Sequence, residues 1–346
     1  MDNETNIFNP LVELMPRKEL EQLQTNNLRR QLGYVYMRSD FYRKKLDEAA
    51  VKPDDVKTIH DLGKIPVTMR QEIQERIKET GDPYGGRLCI SRAERLTAFS
   101  PEFPPEGEPV YLVINDKDAE FAVEALTRQL VMIGATKGDK ILHMAWSWNP
   151  LNSLLSPVYN NFANQSVSDI LNCRVLFAEE VAPDAPRALF TSKFFKPSTV
   201  IAPYLALEGV KMEAEKQNIP LNSLGFKVVV FRETKTPPNA EQRETFEREW
   251  EVRTQTMLDV QDNLFYAVDC PEHRGLHVWE DMYIAEATDP NTGEALPTGE
   301  TGKLTITNLF AEATPLIRYQ TPLDCRIENE PCPCGRTHAR IVPADY

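Results

Sequence analysis

Six cysteine and histidine side chains are gathered into two short stretches of this 346-residue sequence. "DCPEHRGLH" carries Cys270, His273 and His277, and "PCPCGRTH" carries Cys332, Cys334 and His338. Thiolates and imidazoles in two groups that folding can bring together suit tetrahedral Zn²⁺, with four ligands at about 2.0 to 2.3 Å. A site closed by four protein ligands would be structural, because a catalytic zinc keeps one position open for water or substrate. The competing reading is a set of ordinary free thiols. Cys325 is a spare candidate, whereas Cys89 and Cys173 sit beside apolar residues and read as small core side chains. His143 has no evident Ser or Cys nucleophile near it and reads as a strand histidine.

The elements that must position these groups fall into three stretches. Over residues 1-90 the apolar residues Leu20, Leu23, Leu28, Leu32 and Val35 recur at helical spacing between charged residues, which predicts an amphipathic helix. A turn at Pro53 follows, and Thr68 is placed to cap another helix with Glu72 just beyond. Over 91-269 the β-rich runs "VYLVIN", "KILHMAW", "RVLFA", "STVIAP" and "KVVVF" alternate with helical stretches such as "KDAEFAVEALTRQLVMIG" and "NAEQRETFEREW". That alternation predicts α/β layers. Over 270-346 short strands joined by Gly and Pro turns predict a small β-rich subdomain, which carries the zinc candidates.

Lys and Arg total 39 against 52 Asp and Glu, and the resulting net charge of -13 repels phosphate backbones and anionic lipid surfaces. Nucleic-acid and membrane partners are not expected. The N-terminus lacks a basic run followed by an apolar one, and no window approaches the ~18 uncharged apolar residues of a membrane span. The sequence therefore reads as cytoplasmic, a compartment that favours thiols or metal over disulfides.

Two long segments resemble the phenylacetate-CoA ligase and coenzyme F390 synthetase family of adenylate-forming, AMP-binding proteins. "PRKELEQLQTNNLRRQLGYVYMRSDFYRKKLDEAAVKPDDVKTIHDLGKIPVTMRQEI" is similar to that family's N-terminal helices, and "GLHVWEDMYIAEATDPNTGEALPTGETGKLTITNLFAEATPLIRYQT" to its β-rich core. The resemblance implies the large N-terminal domain of an adenylate-forming enzyme. It also implies a mobile C-terminal domain carrying a catalytic lysine, and this sequence ends in "VPADY", where the family's hinge is expected. In some members a Cys-x6-His and a Cys-x-Cys segment occupy the matching places, which implies Cys270, His277, Cys332 and Cys334 as the zinc set.

The motifs that hold ATP in the family depart from pattern here. The phosphate loop, rich in Ser, Thr and Gly with a lysine, corresponds to "AFSPEFPPEGEP". Its prolines remove donors and Glu108 stands in the lysine's place. Arg232 in "FRETKTPP" occupies a glycine position along the adenine. The magnesium-linked glutamate has no clear counterpart in "MLDVQDNLFYAVDC"; Asp259 or Asp262 could substitute as an oxygen ligand, but each is read instead as a solvated turn residue. In "RYQTPLD" the residues Arg318, Tyr319 and Thr321 persist as nucleotide-binding remnants. Asp324, the fourth remnant, falls one residue late; a rearranged loop could restore its role, but the favoured reading is a surface or turn carboxylate. Trp146 and Trp148 in "HMAWSWNP", with Tyr204 after "IAP", stand where the family lines its acyl pocket, although one Trp is expected in the core.

These readings converge on a ligase-like scaffold without the ligase reaction, a non-catalytic binding or partner subunit with structural zinc and doubtful ATP/Mg use. The alternatives are the large subunit of a split aryl- or acyl-CoA ligase, whose C-terminal domain is a separate chain, and an ATP-independent module that binds a thioester or carrier. The expected partners are a protein or second copy, and an acyl or aryl thioester or carboxylate as ligand.

Overall fold

The computed structural model describes residues 6-91, 97-99, 110-147, 149-158, 164-233, 237-344 and 346. Helices of nine or more residues among these are labelled α1 (Arg17–Arg38), α2 (Asp40–Glu48), α3 (Arg70–Thr80), α4 (Asp116–Met132), α5 (Ala185–Phe195), α6 (Tyr204–Lys216) and α7 (Ala240–Trp250). The strands of the main sheet are β1 (Lys140–Met144), β2 (Arg174–Ala178), β3 (Thr199–Ala202), β4 (Val228–Glu233), β5 (Arg253–Val260), β6 (Phe265–Asp269), β7 (Leu276–His277), β8 (Tyr283–Thr288), β9 (Gly302–Asn308), β10 (Tyr319–Glu328) and β11 (Arg340–Pro343).

These strands form one sheet in the order β8-β9-β10-β11-β7-β6-β5-β4-β3-β1-β2. Pairings from β5 through β4, β3 and β1 to β2 are parallel, and every pairing on the other side of β5 is antiparallel. The parallel half obeys the period of two. Ile141, Ile201 and Val230 pack toward α4, while Leu142, Val200 and Phe231 pack toward α5, α6 and α7. Helices on both faces bury the parallel strands, as parallel sheets require. Asn115 caps α4 by accepting from the Asp118 amide at 2.8 Å, and Asn239 caps α7 in the same way through Gln242 at 3.0 Å.

Residues 270-346 continue this sheet, so the sequence boundary at 269/270 lies between two neighbouring strands, β6 and β7. Of the runs read as strands, "VYLVIN" stands apart: Leu112–Ile114 pairs with Thr97–Phe99 in a separate hairpin. The N-terminal helix α1 buries Leu20, Leu28, Leu32 and Val35, together with Gln24 and Gln31. Their amide nitrogens donate to the carbonyls of Tyr283 and Ala311, at 3.2 and 2.7 Å, which fixes α1 on the antiparallel half.

Thr68 is not the cap of α3. Its hydroxyl donates to the Ile317 carbonyl at 2.8 Å and its backbone bridges to Tyr319, so tertiary pairing takes the side chain that local sequence assigned to the helix. No helix of the described residues is long and apolar enough to cross a membrane.

Candidate functional site

Strand pairing assembles the cysteines and one histidine. Cys270 directly follows β6, His277 ends β7, and Cys332 and Cys334 lie in the turn between β10 and β11. Because β7 is hydrogen-bonded between β6 and β11, with His277 opposite both Val268 and Arg340, the two stretches meet despite some sixty intervening residues. Cys270 Sγ lies 3.6 Å from Cys332 Sγ, Cys334 Sγ lies 3.5 Å from His277 Nε2, and the four ligand atoms all fall within 4.8 Å of one another. A tetrahedron with bonds of about 2.3 Å has edges of about 3.8 Å, so the donor set fits a zinc-sized cation.

Contact with Cys332 and Cys334, together with burial, drives the Cys270 thiol up, whereas the same sulfur contacts and His277 draw Cys334 down. Arg336, which sequence reasoning did not single out, places Nη1 3.7 Å from Cys334 Sγ and anchors Nε and Nη2 on the buried carboxylate of Glu13 at 2.9 and 2.6 Å. The N-terminal stretch thereby supports the thiolate loop.

The other two histidines are committed elsewhere. His338 Nε2 lies 2.9 Å from the Val12 carbonyl, and its Nδ1 accepts the Glu280 amide at 3.0 Å. His273 Nδ1 lies 2.8 Å from Asp269. Cys325 is buried outside the cluster, Cys89 is buried, and Cys173 is half-buried against the core.

A second polar cluster lies at the carboxyl ends of the parallel strands, where open α/β sheets bind ligands. Arg232, near the end of β4, is 3% exposed; its Nη1 donates to Asp259 at 3.1 Å and its Nη2 to Glu180. Asp259 is a buried residue of β5, and Asp262 is buried and held by Arg70 and by the Tyr319 hydroxyl at 2.7 Å. The reading of both as solvated turn carboxylates is therefore corrected. Guanidinium partners distant in sequence, absent from any local pattern, make their burial tolerable.

His143 shares this sheet face. Its Nδ1 lies 2.8 Å from Asn152 Oδ1, and its Nε2 is buried without a hydrogen-bond partner among the described residues. Burial, reinforced by nearby Arg232, pushes the imidazole down to about 3. An unfolded chain takes up this proton below about pH 6.5, so folding free energy should fall as pH drops from about 6.5 toward 3, by up to about 1.4 kcal/mol per pH unit. Urea melts across that range should show the loss, and His143→Gln should flatten it. An identical slope in the variant would assign the acid sensitivity to other groups.

The "RYQT" segment is structural in its contacts. Arg318, at φ 47°, spends its donors on Glu286 (3.0 Å twice), the Ile65 carbonyl (2.6 Å) and the Gly293 carbonyl (2.9 Å). Thr321 is buried, and its hydroxyl accepts the Leu323 amide at 3.3 Å. Asp324 is exposed on β10 and pairs with Lys303 at 2.9 Å. Trp146 follows β1 on the surface, and Tyr204 follows β3, with its ring against Phe231 and Phe246 at 5.5 and 6.1 Å between centroids. The two thus share an edge of adjacent strands. Glu108 and the phosphate-loop stretch 100-109, with Trp148, lie outside the described residues.

No family model matches the chain. It is 28% identical to the phenylacetate-coenzyme A ligase of Thermus thermophilus over 97% of its own length and 72% of that protein. The Escherichia coli phenylacetate-coenzyme A ligase is 25% identical over 90% of this chain and 68% of the relative. Among solved structures, 2-hydroxyisobutyryl-CoA ligase in an open conformation, in complex with 2-HIB-AMP and CoA, superposes with a TM-score of 0.84 at 20% identity, covering 99% of this chain and 72% of that one. The anthranilate CoA ligase AuaEII, in complex with anthranoyl-AMP, is more distant, with a TM-score of 0.52 at 12% identity over 72% of this chain and 48% of that one. The chain is thus similar over most of its length to curated phenylacetate-coenzyme A ligases, and its sheet and helices have the fold of the solved CoA ligase on which they superpose.

Proposed function

We propose that this chain is a non-catalytic binding or partner subunit on a ligase scaffold, braced by a structural zinc at Cys270, His277, Cys332 and Cys334. The observation that carries the reading is the buried Arg232–Asp259–Glu180 network. A guanidinium occupies the strand end where a glycine would let a base approach the backbone. The carboxylate that could ligate magnesium is instead engaged by that guanidinium, and recruiting it would break a buried ion pair. Four of the five Arg318 donors are engaged by Glu286, Ile65 and Gly293, and Asp324 is turned to solvent. These contacts disfavour nucleotide in the cleft.

Thioester or carboxylate binding without ATP is a second reading. It is favoured by the buried Tyr266 hydroxyl and His143 Nε2, neither of which has a hydrogen-bond partner among the described residues. Orphaned polar groups at strand ends are compatible with a polar ligand group. The 2-hydroxyisobutyryl-CoA ligase structure holds CoA and an acyl adenylate, which supplies the chemical class.

Calorimetry of the purified chain should show Mg-ATP binding weaker than about 1 mM, less than about 4 kcal/mol of binding free energy. ATP–pyrophosphate exchange with aryl and short-chain acids should stay at background. Micromolar affinity selective for adenine, or sustained exchange, would overturn the reading in favour of a split ligase.

A further inference from the structure

A basin of about 380 Å³ lies over the face of β10 and β11, lined by His273, Arg274, Arg326, Glu328, Arg340 and Tyr346 among others. Its volume lies in the range of small-molecule sites. Its charge runs against that of the chain: three guanidiniums converge on it in a protein of net charge -13.

The three arginines arrive from separate segments. Arg326 and Arg340 stand on adjacent strands, where Arg326 lies opposite Val342 and Glu328 opposite Arg340. Arg274 comes from the turn after β6. That turn can lie flat on β11 because Gly275, at φ 107°, has no side chain; a Cβ there would sit 2.8 Å from Val342 Cγ2 and 2.9 Å from the Ile341 carbonyl. The preceding His273 also holds a left-handed backbone, at φ 48°. Strain of this kind persists only where the surroundings impose it.

The basin's positive charge is only partly answered. Arg326 Nε donates to Glu328 at 3.0 Å, whereas Arg274 is exposed and makes no ion pair among the described residues. Arg340 is 6% exposed; Nη1 and Nη2 donate to the carbonyls of Arg274 and Glu330 at 2.7 and 2.8 Å, and Nε has no partner among the described residues. Two carbonyls orient this guanidinium without neutralising it. The Asp269 carboxylate, fully buried behind the lining, is taken up by His273 at 2.8 Å and the Tyr346 hydroxyl at 2.7 Å and makes no ion pair with the three arginines among the described residues. Its hydrogen bond keeps the imidazole protonated to higher pH than usual.

We propose that this basin is a binding site for an organic phosphate monoester. Three guanidiniums reaching one space from a turn and two strands can engage the three terminal oxygens of a tetrahedral phosphate together, whereas a planar carboxylate offers two. The cleft and the zinc cluster take no part in it.

Calorimetric titration of the full chain, with its metal content left as purified, tests this with ribose 5-phosphate and phenyl phosphate, using ribose and glutarate as controls. Both phosphates should bind with sub-millimolar Kd and both controls should not. Arg274→Ala with Arg326→Ala, at two partly exposed positions, should weaken binding at least about tenfold, or about 1.4 kcal/mol, at unchanged melting temperature. Arg340→Lys, which keeps the charge and loses the fork, should also weaken it. No saturable phosphate binding, binding unchanged in the double variant, or equal affinity for glutarate would each overturn the assignment. A ligand in this basin is displaced by ribose 5-phosphate, whereas nucleotide in the cleft survives both that competitor and the double variant, so the two readings fail separately.

Discussion

Protein purified without added zinc is expected to carry close to one equivalent of it, and Cys332→Ser with Cys334→Ser to carry none. The expectation follows from four donors that fit a tetrahedron and are held by the pairing of β7 with both β6 and β11. Their arrangement exists only in the folded chain, so metal affinity appears as folding free energy. At a free zinc concentration a thousandfold above Kd that contribution is about 4 kcal/mol. Removal by a strong chelator should therefore lower the melting temperature by roughly 5 °C or more in a chain of this size. His273→Ala is the informative control, because His273 is bound to Asp269 outside the cluster and its loss should leave metal content at one. Full occupancy in the double serine variant would refute the ligand set, and loss of metal in His273→Ala would move it.

Arg318→Ala is expected to destabilise the protein by about 3 to 5 kcal/mol, the cost of breaking a buried ion pair by removing one partner. The guanidinium is 1% exposed and satisfies Glu286, which is itself 11% exposed, along with two carbonyls from separate segments. Burial already pushes the Glu286 carboxyl up, and Arg318 is what holds that rise in check. In the variant Glu286 should protonate on folding. Replacing both partners with methionine should recover a large part of the loss, because two apolar side chains leave no orphaned charge. Denaturant melts of the three proteins decide it. A loss below about 1 kcal/mol in Arg318→Ala would leave Arg318 free for a ligand-binding role.

Periodic segments were legible in the sequence because their burial is local and regular. Leu20, Leu28, Leu32 and Val35 mark one face of α1, and the runs at 140-144, 174-178, 199-202 and 228-233 became strands of one sheet. The cysteine and histidine spacing showed that a metal site was available, and the family resemblance selected His277 over His273 and His338. Local signals failed where a distant group competed. Thr68 has the chemistry of a cap, but Ile317 offered its hydroxyl a buried acceptor. Asp259 and Asp262 read as turn residues because the arginines that permit their burial, Arg232 and Arg70, lie far away along the chain.

What the sequence by itself determined is the inventory: the ligase-like scaffold segments, the four candidate ligands, and a glutamate, an arginine and a displaced aspartate where ATP contacts are expected. What only the tertiary structure decided is who pairs with whom. Whether Arg232 could serve a ligand depended on Asp259 and Glu180 reaching it, and whether Arg318 could do so depended on Glu286, Ile65 and Gly293. The convergence of Arg274, Arg326 and Arg340 likewise follows from strand register and from the missing side chain of Gly275. Charges and hydrogen bonds act over a few ångströms in space and are indifferent to separation along the chain, so periodicity reveals the core while the pairing of buried polar groups emerges only on folding.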